Sequence, residues 1–119
     1  MLAAVKHLAA AQRASWMVLT EHMLADQDGR HGFVDCVLLQ PQSGIAICIE
    51  FDQGTHGEQP FQCKQELWDA MEAQRHADER KDKMAKLCGM PMLRIRHDQQ
   101  SEQLSRLLHM LSFVDAILH

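Results

Sequence analysis

The sequence predicts an α/β domain in which a mixed β-sheet is flanked by helices. Two apolar runs, residues 33–40 and 45–52, are separated by Pro-Gln-Ser-Gly, which is typical turn chemistry, so they are predicted to form a β-hairpin. A long amphipathic segment then leads into a short strand at residues 92–96. A strand entered from a long helix most simply lies parallel to an earlier strand through a right-handed crossover. At 119 residues, we expect residues 1–119 to form a single domain.

The first 32 residues form an N-terminal part in which the spacing of apolar residues is compatible with either one long helix or a helix followed by a strand. Apolar residues three and four apart over residues 2–24 favour one long amphipathic helix. The run at residues 16–20 (WMVLT) equally suits a strand that follows a shorter helix. We predict helix to about residue 14 and leave the rest open. Residues 26–32 are predicted to turn, with their glycines at positive φ.

The core is predicted to span residues 33–96, followed by a last helix. Residues 61–88 are expected to form a long helix that ends at Gly89, because glycine followed closely by proline is a common helix stop. Residues 101–118 form the C-terminal helix, whose apolar face would cover the sheet or pair with a second copy, as in a homodimer. Its predicted buried residues are Leu104, Leu107, Leu108, Leu111, Val114 and Leu118.

Composition and charge limit the classes of function. No apolar run approaches the ~20 residues that span a bilayer, and the first 15 residues lack the apolar core of a secretory signal. We therefore expect a cytoplasmic protein with no membrane partner. The net charge of −4 and the pI of about 6.0 argue against indiscriminate nucleic-acid binding. However, seven of the twelve Lys and Arg residues fall within residues 75–96, which forms a local basic stretch.

Acidic residues at the end of the central strand are the main candidates for a site. Side chains alternate along a strand, so Glu50 and Asp52 emerge on one face, one pleat repeat apart. Antiparallel pairing can bring Asp35, near the start of the preceding strand, to the same place. Three neighbouring carboxylates are costly unless a cation lies between them, and oxygen ligands suit Mg²⁺ or Mn²⁺. The alternative is that these acids simply emerge into solvent.

Two further residues are candidates for auxiliary groups. On the long helix, Asp78 and Lys81 fall within the apolar seam rather than on the charged face. They can form a partly buried pair with the lysine stem reaching outward, or Lys81 can point at the carboxylates to activate water or stabilise charge. His56 follows Asp52 closely enough to reach what the acids hold, although a solvated loop histidine is the alternative.

A zinc-stabilised domain is disfavoured because the cysteines form no C-x-x-C pair.

The order of these pieces resembles a known group of enzymes. The pieces are VDCVLL (34–39), IEFDQGTH (49–56) and DERKDKMAKLCGMPMLRI (78–95). They resemble the PD-(D/E)XK nuclease superfamily, and in particular its branch of small bacterial proteins similar to very-short-patch-repair endonucleases. The resemblance covers roughly residues 33–96. It implies a restriction-endonuclease-like core and a metal-dependent nuclease that hydrolyses DNA, or another nucleic acid, with Mg²⁺ or Mn²⁺.

The resemblance also implies roles for particular residues. Asp35 and Glu50 would ligate the metal, with the main-chain carbonyl of Phe51 as a further ligand. The superfamily's lysine position is held here by Asp52, as is common in this branch, so that the lysine's role falls to Lys81, to His56 or to no residue.

The remaining implied residues lie outside the two strands of the hairpin. The resemblance implies an acid on an N-terminal helix, for which Glu21 is a candidate, and Asp78 is a further candidate acid. Basic residues would contact DNA phosphates: Lys83, Lys86, Arg94 and Arg96. The alternative to a nuclease is an inactive nuclease-fold protein that serves as a DNA-binding or protein-interaction module. The acid at the lysine position and the acidic pI favour that alternative.

Overall fold

The structure, a computed structural model, describes residues 1–25, 28–52 and 64–118. These residues form a four-stranded mixed sheet with three α-helices. In chain order the elements are α1 (Leu2–Ala10), β1 (Met17–Ala25), β2 (His31–Gln40), β3 (Ile45–Asp52), α2 (Lys64–Leu87), β4 (Met92–Arg96) and α3 (Gln100–Leu118), with a single 3₁₀ turn, His97–Gln99, before α3.

The strands lie in the sheet in their chain order, β1-β2-β3-β4. Strand β2 is antiparallel to both β1 and β3, which confirms the predicted hairpin. Strand β4 is parallel to β3, as predicted for a strand that follows a long helix. The mixed α/β class follows from these pairings, and β4 has the predicted bounds.

Helices cover both faces of the sheet, and each face has its own cluster of buried residues. The α1/α3 face holds Val5, Ala9, Cys36, Leu38, Ile47, Ile49, Leu93, Ile95, Leu107 and Leu111. The α2 face holds Leu24, Val34, Val37, Cys48, Met84 and Ala85. Because β2 and β3 are buried on both faces, they read as nearly continuous apolar runs in the sequence.

The N-terminal part is a short helix followed by a strand, so the prediction of helix to about residue 14 is wrong beyond Ala10. The residues that follow α1 donate hydrogen bonds to a side chain of α3 instead of continuing the helix. The backbone N–H of Ala14 donates to Asp115 Oδ1 at 2.8 Å, and that of Arg13 donates to Asp115 Oδ2 at 3.3 Å. A long-range carboxylate therefore replaces the helical acceptors, and β1 then pairs with β2.

Buried Gln40 organises the turn between β2 and β3. Its side-chain Oε1 accepts hydrogen bonds from the backbone N–H and the hydroxyl of Ser43, both at 2.6 Å. Its carbonyl accepts from the N–H of Gly44 at 2.9 Å, and Gly44 has a φ of +74° that favours glycine. A polar residue can be fully buried here because the turn satisfies it.

The predicted helix stop at Gly89 is confirmed. Gly89 has a φ of +73°, and its N–H donates to the carbonyl of Lys86 at 3.0 Å while the N–H of Met90 donates to that of Ala85 at 2.9 Å. These two bonds form a Schellman motif, which satisfies the last carbonyls of α2. Beyond the helix, the carbonyl of Pro91 accepts a hydrogen bond from the N–H of Cys48 at 2.9 Å. This bond starts the pairing of β4 with β3.

The turn predicted at residues 26–32 is partly corrected. Gly29 has the expected positive φ, of +79°, but Gly32 lies within β2. Residues 26 and 27 lie outside the described residues. A Cβ atom on Gly32 would lie 3.4 Å from Met84 Sδ and 3.6 Å from Lys81 Cγ, so α2 packs directly over this position.

Helix α3 buries part of its predicted face. Leu107, Leu111 and Val114 are buried, but Leu108 is 38% exposed, so its predicted burial is wrong. Phe113 is also exposed. Pairing with a second copy through this helix stays a prediction. Among the described helices, none is long and apolar enough to cross a membrane.

We expect the free energy of unfolding to fall as the pH rises from about 9 to about 11. Burial raises the pKa of the Cys36 thiol to about 11, helped by the charge of Asp35, and burial likewise raises the pKa of Cys48 to about 11. The unfolded chain, with thiol pKa near 9.0, loses these protons first, so each thiol lowers the free energy of unfolding by roughly 1 kcal/mol per pH unit in this window. Urea denaturation at a series of pH values measures this slope.

The matched control is the double variant Cys36→Ala/Cys48→Ala. Its free energy of unfolding should depend less steeply on pH, because it lacks the two buried thiols. The same slope in both proteins would show that the two buried thiols are not the cause.

Candidate functional site

Asp35 and Glu50 lie next to each other where β2 and β3 stop pairing. The last ladder pair is Cys36 with Ile49, so these two acids are the next residues on their strands. The backbone N–H of Asp35 donates to Glu50 Oε1 at 3.0 Å, and the N–H of Phe51 donates to Asp35 Oδ2 at 2.7 Å. Carboxylates thus replace the backbone ladder, and Asp35 and Glu50 are neighbours across the hairpin.

Strand β2 is irregular at Asp35. Val34 and Val37 both belong to the α2 face, whereas Cys36 belongs to the α1/α3 face. Regular alternation would put residues 34 and 37 on opposite faces, so the strand changes its alternation at this acid. An irregularity of this kind re-aims a side chain and is common beside active sites.

The neighbouring strand is irregular at the same level. Glu21 has a φ of +50° and is missing from the ladder, although Thr20 pairs with Cys36 and His22 pairs with Val34 on either side. It therefore lies opposite Asp35. A non-glycine residue with positive φ stores strain of about 1–3 kcal/mol and often marks a functional site. The resemblance implied that Glu21 would be an acid on a helix, and this is wrong, because Glu21 is on β1.

Lys81 reaches the carboxylates from α2. Its Nζ lies 3.0 Å from Glu50 Oε2, and the two side chains are 26% and 14% exposed. Its stem passes over Gly32, with Cγ and Cε 3.6 and 3.9 Å from the position that a Cβ would take there. Of the two interpretations of this lysine, the structure has the one in which Lys81 points at the acids. Asp78 instead accepts a hydrogen bond from Gln74 at 2.8 Å.

Arg94 also faces α2 and is held between two acids. Its NH1 donates to Asp82 Oδ1 at 2.6 Å, and its NH2 donates to the carbonyl of Asp78 at 3.0 Å. The side chain is only 24% exposed, so it is directed into the structure rather than outward toward phosphates. Sequence reasoning missed this role. The available signal was that Leu93 and Ile95 are apolar, so that Arg94 between them must face the other side of the sheet.

Asp52 lies two residues beyond Glu50 and lines a separate part of the surface. With Arg96, its neighbour in the parallel register, and Asp78, it borders a cleft of about 310 Å³ between α2 and the sheet. Arg96 Nε is 3.5 Å from Asp98 Oδ1. The structure therefore brings together Asp35, Glu50 and Lys81. The prediction that Asp35, Glu50 and Asp52 converge on one point is wrong, because no such group of three acids occurs among the described residues and Asp52 lines the separate cleft.

The other predicted residues have separate positions. The two lysines expected to contact phosphates, Lys83 and Lys86, are exposed on the last turns of α2. His56 lies outside the described residues, as does the rest of residues 53–63.

The donor set at Asp35 and Glu50 can be tested against a divalent metal. Within residues 1–25, 28–52 and 64–118, no group of three or more His, Cys, Asp or Glu side chains is arranged to hold a metal ion. Mg²⁺, however, commonly binds through one or two carboxylates and keeps several waters. Each carboxylate oxygen that accepts one hydrogen bond keeps a second lone pair. Binding of Mg²⁺ or Mn²⁺ by these two acids therefore stays a prediction.

Comparisons with protein-family models, with curated proteins and with solved structures find no match to this chain. Any functional inference therefore depends on the geometry of these side chains.

We expect Asp35→Ala to lower the free energy of unfolding by roughly 1–3 kcal/mol, because the N–H of Phe51 loses its acceptor. Asp35→Asn keeps an acceptor oxygen and should cost less than about 1 kcal/mol. Urea denaturation of both variants checks the difference. Equal losses would show that the hydrogen bond to Phe51 does not stabilise the end of the hairpin.

Proposed function

We propose that the protein is a metal-dependent nuclease of the PD-(D/E)XK type that hydrolyses DNA phosphodiester bonds. The observation that carries the proposal is that one carboxylate oxygen of Glu50 accepts from the backbone N–H of Asp35 while the other accepts from Lys81 Nζ. A restriction-endonuclease-like core is part of this proposal. It is supported by the antiparallel pairing of the two strands that bear Asp35 and Glu50 and by the parallel strand β4 that follows α2.

The side chains have distinct roles in the proposed reaction. Hydrolysis of a phosphodiester needs a water that loses its proton near neutral pH and relief of charge on the phosphate. Asp35 and Glu50 would hold Mg²⁺ or Mn²⁺, which when bound supplies a more acidic water and stabilises negative charge. Lys81, which lies beside Glu50, would orient the attacking water or stabilise the negative charge that develops on the phosphate.

Basic side chains around the site would contact the DNA backbone. Lys83 and Lys86 are exposed on α2, the helix that carries Lys81, and Arg96 borders the cleft beside Asp52. Their contacts would hold a phosphate near the acids without reading sequence. Because the whole chain is acidic, this binding depends on a few local charges.

We expect the purified protein to cleave plasmid or single-stranded DNA when Mg²⁺ or Mn²⁺ is supplied. Glu50→Gln should abolish cleavage, and Lys81→Met should slow it by about 10²- to 10⁴-fold, the range typical of positioned acid–base groups. Gel assays over time measure both rates.

Glu102→Gln and Lys6→Met are matched controls, because both residues are exposed and lie on helices of the other face. They should cleave at the wild-type rate. Undiminished cleavage by Glu50→Gln would contradict the proposal, since it would show that the activity does not come from this site.

We expect Lys83→Gln and Lys86→Gln each to weaken DNA binding to a similar extent for unrelated DNA sequences. Each should reduce the slope of log affinity against log salt by about 1, because one phosphate contact is lost. Fluorescence anisotropy in Ca²⁺, between about 50 and 200 mM salt, measures the slopes. An unchanged slope in both variants would exclude these lysines from the interface.

The second candidate is a nuclease-fold protein without activity that binds DNA or another protein. It is favoured by the fact that both oxygens of Glu50 already accept hydrogen bonds from protein groups. Calorimetry with Mn²⁺ separates the candidates. Binding that Asp35→Asn weakens supports the nuclease, and no binding by the wild-type protein supports the inactive module.

A further inference from the structure

We propose that Arg94 is a positioning residue that directs Lys81 to Glu50 by keeping the acids of α2 occupied. This inference deepens the proposed function and rests on it. Arg94 does not touch the site in this role. It acts on Asp78 and Asp82, the acids that lie on either side of Lys81 along the helix.

Lys81 has a competing partner on its own helix. Asp78 precedes it by three residues, and residues spaced i, i+3 on a helix are close enough to form an ion pair. In the folded protein Lys81 therefore has two acids within reach, Asp78 on its own helix and Glu50 on β3. Without another influence, Lys81 could therefore turn to Asp78.

Arg94 removes that competition. Its guanidinium donates to Asp82 Oδ1 at 2.6 Å and to the backbone carbonyl of Asp78 at 3.0 Å. Its Nη2 also lies 3.8 Å from Asp78 Oδ1, an oxygen that accepts a hydrogen bond from Gln74 at 2.8 Å. One planar group thus spans two residues one helical turn apart. With Asp78 and Asp82 facing a cation from β4, Lys81 is directed to the acid on β3.

The register of β3 and β4 shows which other pairing these charges could adopt. Arg94 is the register partner of Glu50 in the parallel β3–β4 pair, so these opposite charges lie side by side on the α2 face. The charges could therefore pair as Arg94 with Glu50 and Lys81 with Asp78. The structure instead pairs Lys81 of α2 with Glu50 of β3, and Arg94 of β4 with Asp82 of α2. The guanidinium selects this pairing, because its fork matches the two acceptors on α2.

Replacement of Arg94 should therefore turn the Lys81 side chain from Glu50 to Asp78, and not only weaken the packing of α2 on the sheet. In Arg94→Gln, Asp78 becomes a competitor for the ammonium group. Removing the competitor as well, in Arg94→Gln/Asp78→Asn, should return Lys81 to Glu50. A residue that only held α2 against the sheet would show no such recovery, because Asp78→Asn adds no contact between them.

A double-mutant cycle tests this without any need for activity. The coupling between Lys81→Met and Glu50→Gln is measured by urea denaturation in three backgrounds: wild type, Arg94→Gln and Arg94→Gln/Asp78→Asn. We expect a coupling of about tenfold in the folding equilibrium constant in the wild type, less than about twofold in Arg94→Gln, and about tenfold again in the double background. Arg106→Gln, on the exposed surface of α3, is the matched control and should keep the wild-type coupling.

A second variant serves if Arg94→Gln does not fold. Asp82→Asn keeps Arg94 but weakens its 2.6 Å contact, and it should reduce the coupling by about threefold. An undiminished coupling in both Arg94→Gln and Asp82→Asn would overturn the inference. A loss in Arg94→Gln that Asp78→Asn does not reverse would also overturn it, in favour of a purely structural role.

The activity of the same variants links the inference to the reaction. With DNA and Mg²⁺, Arg94→Gln should lower kcat by about 10- to 100-fold with KM within about twofold of wild type, and Asp78→Asn should restore kcat. A rise in KM at unchanged kcat would instead show that Arg94 contacts DNA. If no variant cleaves DNA, including the wild type, the proposed function fails while the coupling measurement still decides whether Arg94 positions Lys81.

Discussion

The carboxylate of Glu50 is the group on which the rest of this site depends. It accepts one hydrogen bond from the N–H of Asp35 on β2 and another from Lys81 on α2, while it is itself carried by β3. A carboxylate that is largely shielded from water is stable only when its oxygens are satisfied and its charge is balanced. These requirements bring the three elements together at one point, and the same point presents two acids and a lysine to solvent.

One face of the sheet carries a packed apolar cluster, and the other face carries the charged side chains of the candidate site as well as apolar ones. On the α1/α3 face the strands contribute Cys36, Leu38, Ile47, Ile49 and other apolar side chains to one packed cluster. On the α2 face the packing begins as apolar contacts around Met84 and becomes charged toward the carboxyl ends of β3 and β4. Charges in that position are screened less than surface charges, so the choice of partner there has larger consequences.

Several features could be predicted because they depend on residues close together in the chain. The hairpin of β2 and β3 follows from two apolar runs around turn residues, and the end of α2 follows from Gly89 with Pro91 behind it. The proximity of Asp35 and Glu50 followed from hairpin pairing alone. The end of α1 could not be found in this way, because the acceptors for the next backbone N–H groups belong to Asp115, about 100 residues later. The irregularity at Glu21 is also invisible in composition.

By itself, the amino-acid sequence determined which segments are strands in the core, where the long helix ends and that two acids meet at the end of a hairpin. These outcomes depend on side-chain alternation, turn chemistry and glycine conformation, all of which act over short distances. Only the tertiary structure decided how the charges pair, with Lys81 on Glu50 and Arg94 on Asp78 and Asp82. Opposite charges have no fixed partner in a sequence, since their pairing depends on distances set by how α2 lies across β3 and β4.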